Sequence, residues 1–189
     1  MAIYIDDSCK TGGVIMDGAN RRKKIIQILD KSAGACPGAY IAKILNVSRQ
    51  VIVQDIAILR AKGNGIIATP QGYIIPKFYP KPLIKRVIAC THDKNGLEDE
   101  LKTIISLGGR VIDVMVEHPV YGEIKGMLML SSIYDVDVFI KKLEKSAGQP
   151  LLVLTGGTHL HTIEADSDDK LDMIEDELKK KGYLLNTKS

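Results

Sequence analysis

Three prolines in seven residues, Pro76-Lys-Phe-Tyr-Pro-Lys-Pro82, set the tightest limit on how this 189-residue chain can fold. Proline locks φ and removes a backbone donor, so the segment continues neither a helix nor an interior strand and reads as a stiff, extended connection. The chain therefore divides into two units, 21–76 and 83–184, each long enough to bury a modest core. Charge divides at the same place. Through Pro80 there are 11 basic and 5 acidic residues, a surplus of +6, whereas from Lys81 onward there are 15 basic and 18 acidic residues, a deficit of −3. A basic first unit beside an acidic second one points to a nucleic-acid-binding module joined to something that takes a different partner.

The first unit carries the pattern of a winged helix-turn-helix. Arg21–Ser32 has Ile25, Ile26, Ile28 and Leu29 at helical spacing, and Tyr40–Leu45 is a short second helix. Asn46-Val47 is a tight break, and Ser48 stands as the N-cap of a third helix running to about Lys62. In that helix Val51, Ile52, Ile56 and Leu59 can face inward, leaving Arg49, Gln50, Gln54 and Arg60 polar and outward. Ile66–Ala68 and Tyr73–Ile75, joined by Thr69-Pro-Gln-Gly72, read as a hairpin, the wing. A helix entering the major groove sets its first residues against base edges, where Arg and Gln pair bidentately with guanine and adenine. Ser48 and the early helix N–H groups suit a phosphate. The candidate DNA contacts are thus Ser48, Arg49, Gln50, Gln54 and Arg60, and the expected partner is double-stranded operator DNA.

The second unit alternates strand and helix. Strand patterns at Lys85–Thr91, Arg110–Glu117, Glu123–Leu130 and Thr158–Glu164 are separated by helical patterns at Leu97–Leu107 and Tyr134–Ser146, with a charged last helix at Asp168–Lys181. Leu151–Leu154 reads equally as a strand or a helix end. The order β-α-β-β-α-β places the chain in the α/β (α+β) class: a ferredoxin-like sandwich with antiparallel pairing and an extra C-terminal helix, following the winged helix-turn-helix.

All four histidines, His92, His118, His159 and His161, fall in this acidic unit at strand ends or turns. His159 and His161 are two apart, so on a strand both imidazoles leave one face and offer two nitrogens to one ion. His92, just past the first strand, can join them, with Glu98 or Glu100 of the next helix completing the set. Three imidazoles and a carboxylate suit Zn²⁺, Ni²⁺ or Fe²⁺ and not Ca²⁺ or Mg²⁺. Spacing alone equally describes two exposed strand histidines. Cys90 could replace a histidine, although a thiol inside a strand is more often buried and inert. His118, in Glu117-His-Pro-Val-Tyr-Gly-Glu123, suits either a turn cap or, with Tyr121, the wall of a ligand pocket beyond the metal ligands.

Longer motifs sharpen this reading. Val47-Ser-Arg-Gln-Val-Ile-Val-Gln-Asp-Ile-Ala-Ile-Leu-Arg-Ala-Lys-Gly63, followed by Ile-Ile-Ala-Thr-Pro-Gln-Gly-Tyr, resembles the helix-turn-helix of biotin-repressor-type regulators. His92 with Glu100-Leu101 eight residues on, then Val116–Ile124, then Leu154-Thr-Gly-Gly-Thr-His-Leu-His-Thr-Ile163, resembles the three-histidine (3H) domain. From about residue 21 to 184 the chain looks like a niacin-responsive transcriptional repressor. That resemblance implies a homodimer repressing genes for NAD biosynthesis or niacin uptake, with nicotinic acid as corepressor. It also implies a divalent metal, with His92, Glu100, His159 and His161 as ligands.

Two other functions compete. In one, the ion itself is the signal and no organic effector exists. In the other, a metallohydrolase, Glu117 or Glu123 would be the general base. Against an enzyme stand the lack of a Gly-rich phosphate loop, of a nucleophile elbow and of a His-Glu-x-x-His helix, and the little space that four protein ligands leave for water and substrate. No apolar run approaches the roughly 18–20 residues that span a bilayer. Met1–Asn20 holds Asp6, Asp7 and Asp17 without a signal pattern, and Cys9, Cys36 and Cys90 are odd in number and far apart. These features lead to the expectation of a cytoplasmic protein with free thiols and no membrane partner.

Overall fold

The computed structural model describes residues 17–76, 83–146 and 148–185. The expected proline connection lies, apart from exposed Pro76, outside the described residues, as does Cys9. No described helix is long and apolar enough to cross a membrane.

The first unit contains α1 (Gly18–Lys31), α2 (Gly38–Leu45), α3 (Arg49–Ala61), β1 (Ile67–Thr69) and β2 (Gly72–Ile74). Ile25 and Leu29 of α1, Ile41, Ala42 and Leu45 of α2, and Ile52, Ile56 and Leu59 of α3 form one core. Small Ala42 is buried and Val47 packs at the edge of this core, as the helix crossing requires. Between α2 and α3 the chain reverses at Asn46, whose φ of 51° is left-handed; asparagine tolerates that conformation far better than bulkier residues. Ser48 then caps α3, accepting a hydrogen bond from Val51 N at 3.3 Å. β1 and β2 pair antiparallel with Thr69 opposite Gly72.

The second unit runs β3 (Ile84–Thr91), α4 (Leu97–Ser106), β4 (Arg110–His118), β5 (Gly122–Leu130), α5 (Ile133–Lys145), a 3₁₀ turn (Leu151–Thr155), β6 (Thr158–Ala165) and α6 (Asp168–Lys180). The β-α-β-β-α-β order and the added helix are as expected, and the undecided Leu151–Leu154 stretch is the 3₁₀ turn. The sheet is antiparallel throughout, in the order β3-β6-β4-β5. Two split β-α-β units interlock: β6 enters between β3 and β4, and β4 lies between β5 and β6. This order departs from a ferredoxin-like sheet, whose first and third strands take the centre; here the second and fourth do. That placement makes β6, with its two histidines, an interior strand. Ile88, Cys90, Val111 and Ile163 of the sheet pack with Leu101, Ile104, Leu171, Ile174 and Leu178 of α4 and α6 in a second core.

Candidate metal centre and effector cavity

Interior position and strand period put His159 and His161 on the helix-covered face of β6, where they are 1% and 0% exposed. In the β3–β6 register Cys90 is opposite His159. One helix supplies the carboxylate. In α4, Leu97, Glu100, Leu101 and Ile104 share the buried stripe, whereas Glu98 is exposed and pairs with Lys102 at 2.6 Å. Helical spacing therefore decides between the two candidate carboxylates, because Glu100 falls on the apolar face and Glu98 does not.

The three imidazole Nε2 atoms converge on one oxygen, Glu100 Oε2: His92 at 2.7 Å, His159 at 3.2 Å and His161 at 3.5 Å. Each Nδ1 meets a main-chain carbonyl: Asp93 O for His92 at 2.7 Å, Gly157 O for His159 at 2.8 Å, and Asp113 O for His161 at 2.7 Å. A carbonyl only accepts, so every Nδ1 carries the proton and every neutral ring turns an Nε2 lone pair toward the carboxylate. Carbonyl partners behind each ring are the arrangement that orients histidine ligands of metals. Glu100 Oε1 and His161 Nε2 are buried without a hydrogen-bond partner. Lone pairs and a carboxylate gathered this closely require positive charge between them, either as protons or as one cation.

The electrostatics agree. Burial disfavours the charged form of Glu100, but the three histidines outweigh it and hold the carboxyl well below its ordinary range. Burial also opposes protonation of His92 and His161, and Glu100 overrides it, raising both. Cys90 is buried, and burial together with Glu100 pushes its thiol up. The ligand atoms of Cys90, Glu100 and His159 all lie within 4.8 Å of one another, so this buried cluster could hold a metal. The donor set of imidazoles, carboxylate and thiol fits a borderline transition ion.

Residues that spacing alone did not single out build the frame. Gly157, at φ +110°, lies so close to the His92 strand end that a Cβ there would be 2.5 Å from His92 O. Only glycine allows that approach, and it places the carbonyl that holds His159. Tyr183 stacks edge-on against His92 at 5.0 Å and donates to Asp99 at 2.9 Å. Asp113 holds His161 through its backbone while its side chain receives Lys125 at 2.7 Å and Thr162 N at 3.1 Å. The two consecutive glycines before Thr158 were the only sequence signal for any of these.

His159 and His161 also edge an apolar cavity of about 200 Å³, whose other walls include Val114, Met127, Phe139 and Leu152. His118 and Tyr121 are placed elsewhere, in the β4–β5 turn. His118 Nδ1 accepts from Val120 N and Tyr121 N at 3.2 and 3.3 Å, and Tyr121 is 77% exposed. Glu117 and Glu123 face each other across the exposed end of the same hairpin.

In the first unit Arg49, Gln50, Gln54 and Arg60 are exposed on α3, with Ser48 at its cap. Arg21 and Arg22 turn inward and pair with buried Asp55 at 2.5 and 3.1 Å. They tie α1 to α3 and so do not swell the basic surface.

Residues 21–74 match the HTH domain and residues 85–187 match the 3H domain. Over 165 residues the chain is 47% identical to the probable transcription repressor NiaR of Thermotoga maritima, covering 87% of this chain and 93% of that protein. It is 40% identical over 170 residues to the transcription repressor NadR of Bacillus subtilis, covering 89% and 94%. These relatives are repressors and not enzymes, which removes the metallohydrolase reading. With an HTH domain, a 3H domain and this likeness along nearly its whole described length, the chain belongs to the NiaR/NadR family of transcription repressors.

Proposed function

We propose that this repressor acts on genes of NAD biosynthesis or niacin uptake, with nicotinic acid as its corepressor. The effector's pyridine ring would occupy the apolar cavity, and its carboxylate would approach a divalent metal held by His92, Glu100, His159 and His161. One observation carries the reading: three Nε2 atoms converging on a buried carboxylate at the rim of an apolar cavity of about 200 Å³. Apolar cavities of about 150 Å³ accept benzene, so a six-membered ring with one small substituent is of the right size. When bound, a Zn²⁺, Ni²⁺ or Fe²⁺ ion supplies a Lewis-acid position for an anionic oxygen. Cys90 is near enough to serve as a further ligand.

The DNA contacts proposed are Ser48, Arg49, Gln50, Gln54 and Arg60. Two copies related by a two-fold axis would present two such helices to successive major grooves of an operator. A cytoplasmic location follows from that role.

Calorimetric titration of nicotinic acid into the purified protein, before and after chelation and with nicotinamide as control, tests the effector. Binding of the acid alone, and only with metal present, is the expected result. Absence of heat in both states would remove nicotinic acid and favour the second reading, in which the ion is the signal; the buried, cation-demanding cluster supports that reading independently.

A further inference from the structure

The wing does not extend freely into solvent. Its turn, Thr69–Gly72, is closed on itself, with Thr69 Oγ1 donating to Gly72 O at 3.0 Å and accepting from Gly72 N at 3.3 Å. That turn is seated on the second unit. Pro70 forms part of the wall of the apolar cavity that His159 and His161 edge. Lys142 of α5 donates to Pro70 O at 2.5 Å, latching the turn from outside. Beyond Pro70, the Gln71 amide is buried with both polar atoms unpartnered, at a second cavity of about 140 Å³ between the two units.

The other end of the wing is fastened to the DNA-binding helices. Cys36 and Tyr73 exchange two main-chain hydrogen bonds, at 2.8 and 2.9 Å. Gly72, at φ +145°, lies so near this loop that a Cβ would be 2.3 Å from Cys36 O. The Tyr73 ring lies over Gly38 at the start of α2, where a Cβ would be 3.1 Å from Tyr73 and 3.9 Å from Arg49 Nε. A chain of contacts thus runs from the cavity through Pro70, Gly72 and Tyr73 to Gly38 at the start of α2, with the Arg49 side chain of α3 nearby. Close-packed groups pass displacement on, because none can move without its neighbour.

We propose that Pro70 makes the cavity a two-domain site: its occupant bears directly on the wing turn, and the wing transmits that contact to the N-terminus of the recognition helix. The inference takes the cavity as the effector's, and in that respect rests on the function proposed above. A hydrophobic ligand filling the cavity would favour whichever wing position leaves room for it, so binding and helix placement become one equilibrium.

Hydrogen–deuterium exchange on the full-length, metal-loaded chain tests this without depending on the effector. Gly126→Leu fills the cavity from β5, since a Cβ there meets Leu151 and Val114 at an ordinary 3.4 Å. Exchange should change roughly threefold or more in 67–74 and in 48–54, while 168–180 is unaffected. Adding Pro70→Gly should cancel that change. Lys142→Ala, at an exposed site and safe for folding, should by itself accelerate exchange in 67–74 and 48–54. Unaltered exchange in 48–54 for both Gly126→Leu and Lys142→Ala overturns the proposal. Nicotinic acid is then added to the wild type. Heat of binding with no change in 67–74 also overturns the coupling, whereas no heat beside a clear response to the two variants discards the effector and leaves the coupling standing.

Discussion

At the scale of single residues, the histidines matter through the atoms that stand behind them. Backbone carbonyls at Asp93, Gly157 and Asp113 take the Nδ1 protons, and this sends three Nε2 lone pairs toward Glu100. His159→Ala removes one of these donors and should abolish stoichiometric metal binding while leaving a folded chain; metal content by atomic absorption with circular dichroism checks it, and full metal retention would refute the site. Gly157→Ala should act without touching a ligand. It imposes a left-handed strain and a 2.5 Å approach to His92 O, together worth about 1–3 kcal/mol, and should lower both the thermal midpoint and metal affinity. Arg49→Ala should weaken operator binding by about 1–3 kcal/mol if its guanidinium reads a base. Unchanged affinity in a binding titration would move recognition further along the helix.

At the scale of elements, two features set what each helix can do. In α3 the polar residues stay exposed because the apolar ones complete a core with α1 and α2, while inward Asp55 is occupied by Arg21 and Arg22. Asp55→Ala would remove the buried carboxylate that Arg21 and Arg22 share and should destabilise the first unit by about 2–4 kcal/mol, less than a fully buried pair because Arg21 and Arg22 retain some solvent. Denaturant unfolding measures that loss. In α4 a single stripe serves both packing and chemistry, Leu101 and Ile104 anchoring the helix and Glu100 reaching the site from the same face. The secondary structure of both units was legible in the sequence, since apolar period and, for α3, the Ser48 cap mark it locally. The 3₁₀ turn was not. Leu151-Leu-Val-Leu154 is uniformly apolar, so its pattern has no period, and only the fold shows that Leu152 packs inward while Val153 and Leu154 remain exposed.

At the scale of the whole molecule, a metal bound by residues from β3, α4 and β6 would tie together the first strand, a helix and the penultimate element of the second unit. Ion removal should then cost stability as well as effector binding: at a free ion concentration of 100 times the dissociation constant, binding contributes about 2.7 kcal/mol. Chelation should therefore lower the unfolding midpoint of the second unit and leave that of the first unchanged, a separation that differential scanning calorimetry resolves. Equal shifts in both would show that the two units unfold as one.

The amino-acid order by itself determined the helix-turn-helix and its polar face, the β-α-β-β-α-β succession, and the pairing of His159 with His161 on one strand face. Each of these rests on local quantities: backbone torsions at proline and asparagine, caps, and the two periods of 3.6 and 2. Tertiary structure alone decided that β6 is central, that Cys90 stands beside the site, and that His118 caps a turn away from it. Pro70 likewise left no sign in the sequence of lining a cavity in the other unit. These are contacts between segments tens of residues apart, and their geometry depends on strand order and helix docking, which local periodicity does not encode.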